Sequence, residues 1–521
     1  MIRKAVIILF FAAALLAQAR AQSWVRTYPL FNEEPAAVCA LADGGYVYAS
    51  SLSGSSGTER VQVLVFKAKA SGLGVWGKAF DAPLSSKAVG CRQLKNGNIL
   101  VWGDRTPVFD DRKTNSSDGF LLTLSKSGQV VSQWEYGVAD WNYEYLFAQA
   151  AELAGGGFIA CGEIEHLNKS TQWYNDESKG WIVKLDAAGK VVWQKKVALT
   201  SSEAYKYVSM TDIREAVGGG YLCVGWYYIS AGWSASEVGI IVLKLDAAGA
   251  VVWQKAFDAG NYSNGNTFLI ESASLFATKD GGCLLVGMDW VDDYPWVVKL
   301  NKSGTPTWGR MFVSKSDAGD VEFRAASETK DQGCLIGGGV YPDSGDRLGW
   351  FSKVSPTGVL QANRSYVLGG HYYNHYMGMA ERRTGGYVLV GRSYDDYYSR
   401  ELWAMTTKPD GLTCASVKPN AFKAVMKTFK LYPKSAALRF GEGGAEFGRG
   451  VFTATSLTTK SKSWCGASSM PTASVLELRT PYPGRDAGRP RRLKDGRSIG
   501  LEAPTILRSL RAMLGIRSSE E

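Results

Sequence analysis

The chain is 521 residues long, 45% hydrophobic and 21% charged, with a formal net charge of +10. The charge sits at the ends: residues 1–21 carry three Lys/Arg and no acid, residues 417–521 a net +11, and the body between them is net −4. A mildly acidic body excludes nucleic acid as its expected partner, and no stretch beyond the leader is long and apolar enough to cross a membrane.

At the N-terminus, Arg3 and Lys4 precede an apolar run from Ala5 to Ala17 and then Ala19-Arg20-Ala21. This is the pattern of a secretory signal peptide, residues 1–21, cut after Ala21. The run is too short to span a bilayer and holds no Cys for a lipid, so the mature protein is expected to be secreted, periplasmic or at the cell surface.

Next comes WVRTY, Trp24–Tyr28, whose meaning depends on the residues that follow. The segment LDAAGKVVWQKKV at Leu185–Val197 returns as LDAAGAVVWQKAF at Leu245–Phe257. Its turn Gly recurs at Gly72, Gly128, Gly189, Gly249, Gly304, Gly358 and Gly411, with gaps of 53 to 61 residues. Upstream of each lies a second landmark, a turn and an apolar run, such as DGGYVYAS from Asp43, GGGFIACG from Gly155 and TGGYVLVG from Thr384. Each unit therefore reads as four short strands, A to D, rich in Val, Ile, Leu and aromatics and separated by Gly turns. Seven such antiparallel meanders about an axis make an all-β chain, a seven-bladed β-propeller over residues 22–416.

The recurring Trp76, Trp193, Trp253 and Trp308, each four residues after the turn Gly, are expected to pack between blades. Strand D follows the pattern W-x-[KR]-x-[FYV], and WVRTY is a D strand with no A, B or C before it. It is expected to complete the seventh blade and close the ring, with LTCAS at Leu412–Ser416 as the alternative seventh D strand.

The D-x-x-G-x-x-x-W segments, Asp186–Trp193 and Asp246–Trp253, resemble the tryptophan-containing motif of pyrroloquinoline-quinone-type propellers, and the DGG-plus-apolar run resembles secreted bacterial repeat propellers. The resemblance implies the fold. The quinone-dependent members would imply a metal-bound quinone and often adjacent cysteines; this chain has no Cys-Cys, and has Ala-Gly where those motifs usually have Thr-Gly, so no cofactor is expected.

The cysteines follow the repeat. Cys39 and Cys91 share one strand A position, Cys161 and Cys223 one strand B position, and Cys283 and Cys334 another. Neighbouring sheets stand about 10 Å apart, beyond the roughly 4.4–6.8 Å between the Cα atoms of a disulfide. Free core thiols are therefore expected, with Cys414 and Cys465 left over for a bond tying the tail to the ring.

In such a blade the A–B and C–D turns share one rim, and here they are tight. The B–C loops and D-to-A crossovers share the other rim, and they are long and rich in aromatics, Asp and Asn. Ligand contacts are expected there from Trp173, Tyr174, Trp226, Tyr227, Trp233, Trp290, Asp292, Asp293, Tyr294, Tyr341, Asp343, Tyr373, Tyr394, Asp395 and Tyr397. Flat aromatic faces stack on pyranose C–H groups while carboxylates bind hydroxyls, and Tyr-rich loops equally suit proteins. The expected partner is a glycan or an extracellular protein, bound without catalysis.

The rival reading is an extracytoplasmic enzyme, either a quinoprotein or a sialidase-like hydrolase. The latter needs converging Arg residues and a Tyr nucleophile; Arg105, Arg347, Arg392 and Arg400 lie in suitable segments, but nothing in the sequence ties them together. No metal site is expected: His371 and His375 lack a carboxylate at ligand spacing, and the pairs Asp292-Asp293 and Asp395-Asp396 do not match a Ca²⁺ loop. Residues 417–480 hold strand-like segments and read as a small accessory β region. Residues 481–521 read as a basic, disordered tail able to contact anionic surfaces.

Overall fold

The computed structural model describes residues 23–414 and six short strands between 425 and 465. Excepted are the connections at 30–32, 53–60, 82–84, 107–116, 138–142, 167–177, 201–204, 231–236, 259–269, 290–293, 314–318, 343–346, 368–372 and 395–399. The leader and residues 466–521 lie outside the described residues.

Every regular element among the described residues is a strand, and the chain forms a seven-bladed β-propeller. Blade one runs Glu33–Ala40, Tyr46–Leu52, Gln62–Ala68 and Gly74–Asp81, paired antiparallel in that order. The A strands of the later blades are Ser85–Gln93, Tyr143–Glu152, Tyr205–Glu215, Ile270–Ala277, Gly319–Glu328 and Tyr373–Glu381. Blade seven takes its D strand from the other end of the chain: Val25–Pro29 pairs with Arg400–Thr406 from Val25↔Met405 to Pro29↔Glu401. The sequence reading of WVRTY as the closing strand holds. Trp24, Val25 and Tyr28 are buried in the core on both sides of the closure.

The repeated motifs have local causes. In the turn Asp186–Lys190 the Asp186 carboxylate accepts the Ala188 and Lys190 N–H groups at 2.8 and 2.9 Å, and Asp246 does the same at 2.9 and 2.8 Å. That is the Asx bond that makes Asp useful at the start of a tight turn. Gly249 then takes φ +83°, and a Cβ there would press on the Trp193 ring of the preceding blade. Trp193, Trp76 and Trp308 each donate their indole N–H to a carbonyl of the next blade, Ala247, Lys126 and Pro356. Trp24 donates to Ala70 at 2.7 Å, so the closing strand docks as its internal counterparts do.

Each A strand also carries a bulge against strand B, a feature absent from the sequence reading. In blade seven the bulge folds the His375 carbonyl over Gly391, where any Cβ would overlap it. This explains why the apolar run of the second landmark ends in Gly in every blade but the first, where Ser50 takes the place.

The six blade cysteines are free. The Cys91 thiol of blade two nonetheless reaches the Val47 carbonyl of blade one at 3.9 Å. The side chains reach across the gap between sheets, which the spacing of the backbones does not measure. Cys414 is disulfide-bonded.

The strands after residue 424 form no sheet of their own. Val425–Thr428, Tyr432–Lys434, Leu438–Glu442, Glu446–Arg449, Thr453–Leu457 and Lys462–Cys465 each pair antiparallel with a D strand, on blades five, four, three, two, one and seven in turn. The segment is a belt that gives six blades a fifth strand, while the described sheet of blade six keeps four.

Candidate ligand-binding rim and its basic seam

Antiparallel order fixes the rims. The A–B and C–D turns are five-residue hairpin turns closed by paired backbone hydrogen bonds, such as Leu41–Gly45 and Lys69–Leu73, and the long connections all join strand ends on the opposite rim. Trp173, Tyr174, Trp233, Trp290, Asp292, Asp293, Asp343, Asp395 and Tyr397 lie outside the described residues, as does His371.

The remaining candidates separate. Tyr227 is fully buried in the core between blades three and four, so it packs rather than faces a ligand. Tyr294 packs partly against the cores on both sides of blade five, and Trp226 is half-buried on strand B of blade four. Beside Trp226, Tyr207 and Tyr228, which the sequence did not single out, meet edge to face at 5.7 Å. Tyr341 lies near the end of strand B of blade six, and Tyr373 and Tyr394 are directly opposed in register on strands A and B of blade seven.

The seam between blades six and seven is basic. Arg347 lies over the Tyr341 ring, 4.3 Å from its centroid, and its carbonyl accepts both the backbone and side-chain N–H of Asn374 at 3.1 Å. Ser393 donates to the Asn374 amide oxygen at 3.0 Å, and the adjacent pair His375↔Arg392 is directly opposed across strands A and B. Trp403, fully buried, donates its indole N–H to the His375 carbonyl at 3.4 Å, which fixes the backbone beneath the imidazole. Arg324 is the bulged residue of the neighbouring A strand and pairs with Glu322. Burial and then Arg324, Arg392 and Arg347 hold the His375 pKa down to about 3, so the imidazole is neutral at physiological pH.

The sequence contained Arg347, Arg392 and His375 but not their juxtaposition. The available signal was the register of HYYNHY against LVGRSY, which the bulge shifts by one residue.

Blades two and three carry the opposite character. The Asp104 carboxylate accepts the Phe147 N–H of the next blade at 2.8 Å. Burial, with Glu144 and Glu165 acting the same way, raises its pKa to about 7. Glu163 is raised by burial as well, beside Ser178 and Ser209. Arg105 is buried and ion-paired with Glu135. Among the described residues no group of three or more His, Cys, Asp or Glu is placed to hold a metal ion, and no helix is long and apolar enough to cross a membrane.

No protein-family model and no curated protein matches the sequence. Solved structures match the chain at low similarity. The polysaccharide lyase Uly1 is 9% identical, with 72% of this chain and 90% of that one covered and a TM-score of 0.43. The GH93 α-L-arabinofuranosidase of Fusarium graminearum is 10% identical, with 75% and 98% covered and a TM-score of 0.42. A protein of unknown function from Dyadobacter fermentans is 12% identical, with 74% and 98% covered and a TM-score of 0.39.

Proposed function

We infer that this propeller is an exported binding module that recognises a glycan on its long-loop rim, at the seam between blades six and seven. The observation that carries the reading is the clustering there of Tyr341, Arg347, Asn374, His375 and Arg392 on rigid strand ends, with Tyr373 and Tyr394 opposed beside them. Aromatic faces next to fixed hydrogen-bond donors are what a sugar ring requires, and preorganised strands lose little entropy on binding. Export rests on the leader at residues 1–21.

A hydrolytic reading has one observation in its favour, the Asp104 carboxyl whose raised pKa suits a general acid. Its neighbours also raise it as a structural consequence of burial, so binding is the better account.

A glycan array probed with residues 22–521 tests the reading. The expected outcome is binding to a defined saccharide group that drops at least about tenfold in Tyr341→Ala. An array with no saccharide above background contradicts it, and turnover of a bound saccharide that is lost in Asp104→Asn supports the hydrolase instead.

A further inference from the structure

Four of the six free cysteines face one another in pairs across blade seams, because the repeat positions they were expected to share differ by one residue. The A–B hairpin turns open at Leu41 in blade one and at Leu94 in blade two; Cys39 lies two residues before the first and Cys91 three before the second. Alternation along a strand turns that offset into opposite faces. Cys39 therefore points from blade one toward blade two and Cys91 back toward blade one, and both pack in the hydrophobic cluster between those blades. The Cys91 Sγ lies 3.9 Å from the carbonyl of Val47, the residue paired with Cys39 across strands A and B of blade one. Cys161 and Cys223, four and three residues after the turn-closing Gly157 and Gly220, repeat the offset and share the cluster between blades three and four. Cys283 and Cys334 each directly follow such a Gly and fall in different clusters. Exposure separates the two facing pairs: Cys161 and Cys223 are fully buried, whereas Cys39 is half-buried. The Cys91 thiol also holds the Cys39 pKa below the ordinary thiol value, which favours Cys39 as the thiolate that reacts first.

We propose that Cys39 and Cys91 are a redox-active pair that hydrogen peroxide closes into a disulfide between blades one and two. The Cys39 thiolate attacks one peroxide oxygen, the O–O bond breaks, and the departing hydroxide takes up a proton and leaves as water, giving the Cys39 sulfenic acid. The Cys91 thiolate then attacks the Cys39 sulfur and displaces a second hydroxide, which also leaves as water. Two thiols thus lose two electrons to one peroxide, and their two protons end on the two waters. The bond closes a loop of about 50 residues, so oxidation restrains the unfolded chain and stabilises the first seam of the ring. The sealed Cys161 and Cys223 stay reduced in the folded protein.

The test treats folded residues 22–521 with hydrogen peroxide, alkylates the thiols that remain, and maps the unreduced peptides by mass spectrometry. It is repeated on Cys39→Ser and Cys91→Ser. The expected result is the loss of two of the six free thiols, recovered as one peptide pair joined through Cys39 and Cys91. In Cys91→Ser the reaction stops at the Cys39 sulfenic acid, which dimedone traps, and in Cys39→Ser no thiol is lost. Should the core substitution at Cys91 fail to fold, the half-buried Cys39→Ser and the map of the parent protein still decide. Six intact thiols after about a tenfold excess of peroxide overturn the proposal. Oxidation of Cys39 without a crosslink, a crosslink through Cys161 and Cys223 instead, or a Cys39–Cys91 crosslink that forms only in urea overturns it as well.

Discussion

Asp104 shows how a single buried side chain can link two blades and tie stability to pH. Its carboxyl reaches from strand B of blade two to the Phe147 N–H at the bulge of blade three, and Asp212 repeats the device between blades four and five by accepting the Leu275 N–H at 2.9 Å. Burial raises both pKa values to about 7. Between the ordinary carboxylate value near 4 and that raised value, the folded state therefore holds protons that the unfolded chain has released. The stability they contribute is full below about pH 4 and is lost as pH rises toward 7. Asp104→Asn keeps an acceptor for the Phe147 N–H and removes the titration. It is predicted to cut the loss of denaturation midpoint between pH 4.5 and pH 8 by about half, Asp212 retaining its share. An unchanged pH profile would refute this assignment.

Gln332 is a second residue-scale case, the one non-glycine among the described residues with positive φ, at 68°. Its side chain accepts the Lys279 N–H of the neighbouring blade at 3.1 Å, the role played at other seams by Gln93, Glu152, Glu215 and Glu381 from the ends of strands A. The left-handed conformation costs roughly 1 kcal/mol and the clasp returns about the same. Gln332→Gly is therefore expected to leave stability within about 0.5 kcal/mol of the parent, and Gln332→Ala to lose about 1 kcal/mol, by chemical denaturation. Parental stability in Gln332→Ala, with Gln332→Gly about 1 kcal/mol above the parent, would show that the clasp contributes nothing.

The closing strand and the belt are both strands added to a blade, one completing a four-stranded sheet and the other extending it. Trp24, Val25 and Tyr28 are core residues on strand Val25–Pro29, and their loss exposes apolar surface on the order of 5 kcal/mol or more. The belt strands pair along the outer edges of the D strands and occupy backbone groups otherwise open to other chains. Deleting residues 23–30 is thus predicted to lower the melting temperature far more than deleting 421–521 in a Cys414→Ser background. The latter should chiefly increase self-association, measured by light scattering. Equal melting temperatures would contradict ring closure as the dominant contribution. The two elements also differ in legibility. WVRTY could be placed because it carries the same Trp and cation spacing as the internal D strands, and that spacing has a partner surface in the next blade. The belt segments AVMKTFKLYP and GVFTATSL could be read as strands but not located, because edge pairing is made by backbone groups that leave no mark on the side-chain pattern.

Across the whole molecule, turns with Asp and Gly at fixed offsets close five-residue hairpins on the A–B and C–D rim, as the repeat arithmetic implies. The candidate site was legible only in pieces. Tyr341 stood out as a loop-end aromatic, but the placing of Arg347 over its ring and of Arg392 opposite His375 depends on the bulge register and on which blades adjoin, neither of which a linear pattern records. Tyr227, adjacent to Trp226 in sequence, alternates to the core face of the same strand, the ordinary consequence of a two-residue period. Hydrogen exchange of residues 22–521, with and without the saccharide selected on the array, tests the ligand-rim assignment most directly. The account predicts slowed exchange at the rim ends of Gly319–Glu328, Tyr373–Glu381 and Tyr387–Tyr394, and no change in the A–B and C–D turns; protection confined to those turns, or to blades two and three, would contradict it.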